Sequence, residues 1–250
     1  METGEIFVHL KTCPNGAVWK GQFWTTVAPS TVSKFDIFDD GSAVALWRFD
    51  GNPYDDGGIY NGTWYGTEKY DAGKFGQAAK FDGNSYINLG NLDNIFSQKS
   101  YTVTGWLINF SGTFLNIRNL EADASSNDCK GGLLWVSDGN IYFYVKGTQD
   151  NTQIETIAPY NSADIHFITI IHDSQNKTVR LLVDTNEVAN ISYKGDLIFN
   201  DGITGYLGVH YYKTTKDFYA AGLIDQVRIF NRALTDEEVL ILYNEMEVNC

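Results

Sequence analysis

The chain has 250 residues, a length that suits one large all-β domain or two smaller ones. Eighteen Lys and Arg against 31 Asp and Glu leave a formal charge of −13, which argues against nucleic acid or an anionic membrane surface as partner. Hydrophobic residues make up 43%, enough for a sizeable core, and no apolar run approaches the roughly 20 residues that span a bilayer.

Met1-Glu2-Thr3-Gly4-Glu5 has neither the basic region nor the apolar stretch of a secretory signal. Residues 4–25 read as a hairpin: Ile6, Val8 and Leu10 alternate with Phe7, His9 and Lys11 before a turn at Cys13-Pro14-Asn15-Gly16. Trp19, Phe23 and Trp24 give it more apolar surface than a free tail carries. A lone hairpin is marginal, so it either packs on its own domain or adds a strand to another chain. Thr26–Lys34 is Ser/Thr/Pro-containing and weakly patterned. Residues 1–40 are therefore expected to form an arm and linker that anchors the protein or makes an oligomer contact, and residues 41–250 the main domain. Cys13, Cys129 and Cys250 lie far apart with no Cys-x-x-Cys spacing, which predicts unpaired thiols.

Asn-Gly and Asp-Gly pairs begin at Asn15, Asp40, Asp50, Asp56, Asn61, Asp82, Asp138 and Asp201, each suited to a tight turn. Between them the pattern alternates. Ile141, Phe143 and Val145 lie opposite Tyr142, Tyr144 and Lys146, and Val179, Leu181 and Val183 opposite Thr178, Arg180 and Leu182. Period two predicts half-buried antiparallel strands, and many short ones predict a sandwich, jelly roll or barrel. One helix is well marked: Thr235 and Glu238 form a capping box, Leu234 and Val239 a hydrophobic staple, and the helix should run to about Asn244.

Five blocks carry a resemblance. They are Ala45–Gly62 (ALWRFDGNPYDDGGIYNG), Gly73–Gly90 (GKFGQAAKFDGNSYINLG), Tyr101–Trp106 (YTVTGW), Thr178–Val188 (TVRLLVDTNEV) and Gly222–Tyr243 (GLIDQVRIFNRALTDEEVLILY). In this order and spacing the chain resembles the laminin-G-like, concanavalin-A-like jelly-roll family over residues 42–245. Asp36–Ala43 resembles the lead-in to such domains in bacteriophage structural proteins. Two departures are Ile165-His166, where the family often has Trp-His, and Thr185, where it usually turns with Gly. The resemblance implies an all-β fold of two antiparallel sheets packed face to face.

It also implies a structural calcium ion held by Asp50 and Asp225, with Asn52 or a backbone carbonyl helping. By parity Asp225 points with Leu223, Val227 and Ile229 to the apolar face, where a carboxylate is costly unless paired or bound to a cation. The alternative is that Asp225 pairs with Arg48 or Arg228, or caps backbone amides. For a glycan ligand the candidates are Tyr142 and Tyr144 on one strand face, and Tyr211 and Tyr212 in the polar stretch His210–Lys216, expected to be a loop. Aromatic rings stack on the C–H faces of sugars while phenol hydroxyls bond sugar hydroxyls. The alternative is that these tyrosines only cover the sheet or touch a neighbouring subunit. Trp47, Phe49, Phe81, Trp106 and Phe230 are read as core.

Catalysis has little support. Glu121-Ala122-Asp123 lacks the second Glu of the related glucanases, no Gly-x-Ser-x-Gly elbow exists, and His9, His166, His172 and His210 are scattered. The expectation is a non-enzymatic recognition module on a bacteriophage virion, a tail or capsid surface component that binds glycans or the host envelope and whose arm contacts other virion proteins. The alternatives are a carbohydrate-binding module of a bacterial surface protein, or a structural decoration protein with no soluble ligand.

Overall fold

In the computed structural model the described residues are 34–96, 100–118, 131–146, 153–195, 197, 202–212 and 215–245. The expected arm hairpin, Glu121–Asp123 and the three cysteines lie outside them.

One long strand organises the molecule. β6 (Tyr101–Arg118) takes part in both sheets of a sandwich. Its first part pairs with β10 (Ile165–Asp173) and β16 (Ala221–Phe230). Its last part pairs with β7 (Gly131–Ser137) and β13 (Thr204–Leu207). The change of partners falls where Asn109 and Gly112 take φ of 47° and 87°, left-handed values that bend an extended chain. A Cβ on Gly112 would collide with the backbone of Tyr219 and Ala220, so glycine is required there on both counts.

The back sheet runs β12 (Asn186–Ser192), β11 (Thr178–Val183), β10, β6, β16. The far edge of β16 is shared by β1 (Ala43–Trp47) and β4 (Gln77–Asp82), with β3 (Tyr70–Ala72) beyond β4. The front sheet runs β9 (Gln153–Pro159), β8 (Asn140–Lys146), β7, β6, β13, β5 (Tyr86–Asn91), β2 (Thr63–Tyr65). The two remaining strands, β14 (His210–Tyr212) and β15 (Thr215–Asp217), pair with each other.

Alternation decides what lies between the sheets. Leu134, Val136, Ile141, Phe143 and Val145 of the front sheet meet Val103, Ile168, Ile170, Val227 and Ile229 of the back sheet in one buried cluster, joined by Trp47, Phe49 and Phe81. Trp106 and Phe230 are buried as expected, but on the far side of the back sheet. There, with Phe167, Ile171 and Leu182, they form a second cluster beneath α2 (Asp236–Tyr243). Tyr243 of that helix stacks on Trp106 with ring centroids 5.6 Å apart, and Phe38 of the lead-in packs on Phe230. The helix and the 34–42 segment thus cover the outer face of the back sheet. A short helix not foreseen from the sequence, α1 (Asp93–Phe96), buries Ile95 and Phe96.

Candidate functional site

The outer face of the front sheet is built from the residues that alternate away from the core. One row crosses all seven strands: Glu155, Tyr144, Leu133, Asn116, Tyr206, Asn88, Thr63. Tyr142 and Tyr144 stand on this face, opposite buried Ile141, Phe143 and Val145, as the alternation predicts. The β7–β8 hairpin then fixes the neighbour of Tyr142. Asp138 and Gly139 both have positive φ (51° and 73°), a two-residue turn that pairs Trp135 with Tyr142. Their rings stack at 4.7 Å and 7°.

The β14–β15 hairpin lies over the same face, its Tyr211 amide donating to Asn116 Oδ1 at 3.0 Å. Its two sides serve different neighbours. His210 pairs across to Asp217, Nδ1 to Oδ1 2.6 Å, and packs near Phe218, which reaches Trp135. Tyr211 pairs across to Lys216 and meets Tyr206 edge-on at 5.3 Å. Tyr206 continues to Tyr86, and Tyr86 stacks on Tyr65 at 4.8 Å and 2°. Burial pushes the Tyr206 hydroxyl up to about 12, so it stays protonated and able to donate.

Two aromatic clusters therefore occupy this face: Trp135, Tyr142 and Phe218, and the tyrosines 65, 86, 206, 211 and 219. Much of their rim is open to solvent, Phe218 at 54%, Ile157 beside Tyr142 at 57% and Tyr65 at 46%. The sequence reasoning missed Trp135, Tyr206, Tyr86 and Lys216. It also placed Tyr211 and Tyr212 in a loop, whereas both belong to a strand; the side chain of Tyr212 lies outside the described residues.

The carboxylates sit elsewhere, on the back sheet. Gln226 has φ of 47° and shifts the register of β16 between Asp225 and Arg228. This bulge breaks the parity argument. Val227 and Ile229 face the core, while Asp225, paired with Trp106, faces outward under residues 73–76. It is fully buried nonetheless. Oδ2 accepts the Phe75 amide at 2.9 Å, and among the described residues Oδ1 has no hydrogen-bond partner. Burial, with a contribution from the charge of Asp50, pushes the Asp225 carboxyl up to about 7 despite the Phe75 amide.

Neither arginine pairs with Asp225: Arg48 holds Asp56 and Arg228 holds Glu245. Asp50 approaches the same turn from outside, accepting the Gln77 amide at 2.7 Å on Oδ1. Gly73 and Gly76 line this crossing, and a Cβ on either would collide with a carboxylate oxygen, of Asp225 and Asp50 respectively. The Asn52 side-chain oxygen is turned into its own loop, accepting the Tyr54 amide at 2.9 Å. Among the described residues no three His, Cys, Asp or Glu side chains converge as a metal cluster.

A profile of the concanavalin A-like lectin/glucanases superfamily matches residues 81–240. The chain belongs to that superfamily. A search of curated proteins found no match. Among solved structures, domain 4 of the Geobacillus stearothermophilus extracellular arabinanase AbnA, in complex with arabinotriose, aligns at TM-score 0.65 and 22% identity, covering 81% of this chain and 98% of that one. The binding domain of Paraclostridial Mosquitocidal Protein 1 aligns at 0.59 and 19%, covering 81% of this chain and 52% of that one, so the chain spans about half of it. The CBM40 of Ruminococcus gnavus IT-sialidase, bound to α2,3-sialyllactose, aligns at 0.51 and 14%, covering 62% and 91%. At these identities the likeness establishes a shared fold.

Proposed function

We propose that the chain is a non-catalytic, lectin-like module that binds glycans on the outer face of its front sheet. The observation that carries this reading is an asymmetry of the sandwich. One outer face is closed by α2 and the lead-in, while the other presents half-exposed aromatic rings beside tyrosine hydroxyls and Asn88. Such a surface offers apolar area to sugar C–H groups and polar tips to sugar hydroxyls. Support also comes from the solved relatives, two of which carry a bound oligosaccharide by their descriptions.

In this reading Asp50 and Asp225 hold a calcium ion together with backbone carbonyls of the turn between them. The donor set fits a hard cation: two carboxylates flank one glycine-lined turn, and among the described residues buried Asp225 Oδ1 has no hydrogen-bond partner. The Tyr54 contact gives Asn52 a role in its own loop instead. The ion would tie the loop after β1 and residues 73–77 to β16.

The presenting body is taken to be a virion, with a bacterial surface protein as the alternative. What supports the virion is the resemblance of Asp36–Ala43 to phage lead-ins. That segment packs on the back sheet, so an anchor reached through it would leave the front face outward.

The test is a glycan microarray probed with the wild type, Trp135→Ala and Tyr142→Ala. Binding should fall by about tenfold or more in each variant, as for aromatic residues that anchor an interface, with melting temperatures that show intact folds. Binding that survives both substitutions contradicts the assignment of this face.

A further inference from the structure

Within the tyrosine cluster sits one cation. Lys216 Nζ lies 4.9 Å from the centroid of the Tyr86 ring and 4.7 Å from that of Tyr211, its cross-strand partner. No carboxylate pairs with it among the described residues. Asp217, next in sequence, points to the other side of the hairpin and is taken by His210. The side chains gathered around Lys216 are the rings of Tyr65, Tyr86, Tyr206, Tyr211 and Tyr219, with no carboxylate among them. The one acidic side chain in the row across this face, Glu155, stands on β9 at its far edge, whereas Tyr86 and Tyr206 stand on β5 and β13.

Another described lysine, Lys74, is held in a similar way, 4.7 Å from the Trp106 ring centroid, but on the far side of the back sheet. The protein carries −13, which repels polyanions overall. Yet most of its described surface cations are spent on carboxylates: Lys34 on Asp39, Lys80 on Asp71, Arg180 on Glu187 and Asp236, Arg232 on Asp40 and Glu238. Lys216 instead has its ammonium fixed between two ring faces, where cation–π attraction holds it without neutralising its charge. A hydrogen bond with the Tyr86 hydroxyl further raises its pKa, so the charge persists through the physiological range.

We propose that this cluster selects glycans bearing a carboxylate, the acid group pairing with Lys216 while the sugar ring lies against the tyrosines. The assignment deepens the glycan-binding reading and rests on it. A carboxylate suits the position because its two oxygens meet the ammonium and a flanking phenol hydroxyl together, each a charge-assisted hydrogen bond. The open rim at Tyr65 gives a polymer chain a way in.

The experiment measures calorimetric affinity of the full chain for polygalacturonate and for the same polymer after carboxyl reduction. It is run with the wild type, Lys216→Gln and Lys216→Arg. The wild type should bind the native polymer at least about tenfold more tightly than the reduced one, with affinity falling as salt rises. Lys216→Gln should erase that preference at an unchanged melting temperature, while Lys216→Arg retains it. Equal affinity for the two polymers, a preference that survives Lys216→Gln, or a preference for dextran sulfate over polygalacturonate would each overturn the proposal. None of these would touch the wider reading, which fails only if no glycan binding depends on Trp135 or Tyr142.

Discussion

At the scale of single residues, Gln226 matters most for the acid site. Its left-handed backbone inserts one residue into β16, and that alone moves Asp225 from the core face, where parity puts it, to the outer face under Gly73 and Phe75. Nothing in Ile-Asp-Gln-Val-Arg marks the bulge, because glutamine has no preference for positive φ. By contrast Trp135 was within reach. A two-residue Asp138-Gly139 turn dictates that Trp135 faces Tyr142, and an alternating Leu134-Trp135-Val136 puts the indole outside.

The calcium assignment is tested at this scale. A ligand bound only by the native state stabilises it by RT ln(1 + [L]/Kd), about 2.7 kcal/mol at a hundredfold excess over Kd. Calcium should therefore raise the melting temperature over that in EDTA by about 5–10 °C for a domain of this size. Asp225→Asn should abolish the shift. Identical melting in EDTA and calcium, or a full shift in Asp225→Asn, contradicts the assignment.

At the scale of elements, α2 was the most legible part of the chain because its signals are local. The Thr235–Glu238 capping box forms with both of its bonds, and Asn244 is the C-cap. What the sequence could not show is that Glu238 also forks onto Arg232 with two 2.7 Å contacts, and that Arg232 reaches Asp40 of the lead-in. The Arg232 hydrogen bonds hold the Glu238 carboxyl below its usual range, against the opposing effect of burial.

A depressed folded-state pKa stabilises above the unfolded carboxylate range, and the gain is lost as pH falls through the folded value. Glu238→Gln keeps the capping hydrogen bond but removes the charge. It should cost about 0.5–1 kcal/mol at pH 7, allowing for solvent screening, and nothing near pH 2. Thermal melts across pH 2–7 check this; a cost independent of pH contradicts it. The β14–β15 hairpin shows the opposite case. Its Tyr211–Lys216 stretch has no glycine or Asn-Gly turn, and its pairing is stabilised by Asn116, Tyr206 and Tyr86 from elsewhere in the chain, so it reads as loop.

At the scale of the whole molecule, turns and alternation specify an all-β sandwich, but not which strands adjoin. β6 pairs with β13 across 86 to 92 residues of sequence and with β16 across 110 to 128, and such pairings leave no local trace. The same non-local order creates the division that matters for function. One outer face is buried under α2, and the other gathers rings from β2, β5, β13, β7, β8 and the hairpin.

The most direct measurement of this division is an NMR titration of the isotope-labelled chain with the oligosaccharide it binds best on the array. Shifts should concentrate on the Trp135 indole, Tyr142, Tyr206 and the 210–218 hairpin, leaving Trp106 and Tyr243 unchanged. Shifts centred on Trp106 and Tyr243, or no shifts at saturating sugar, would contradict the account.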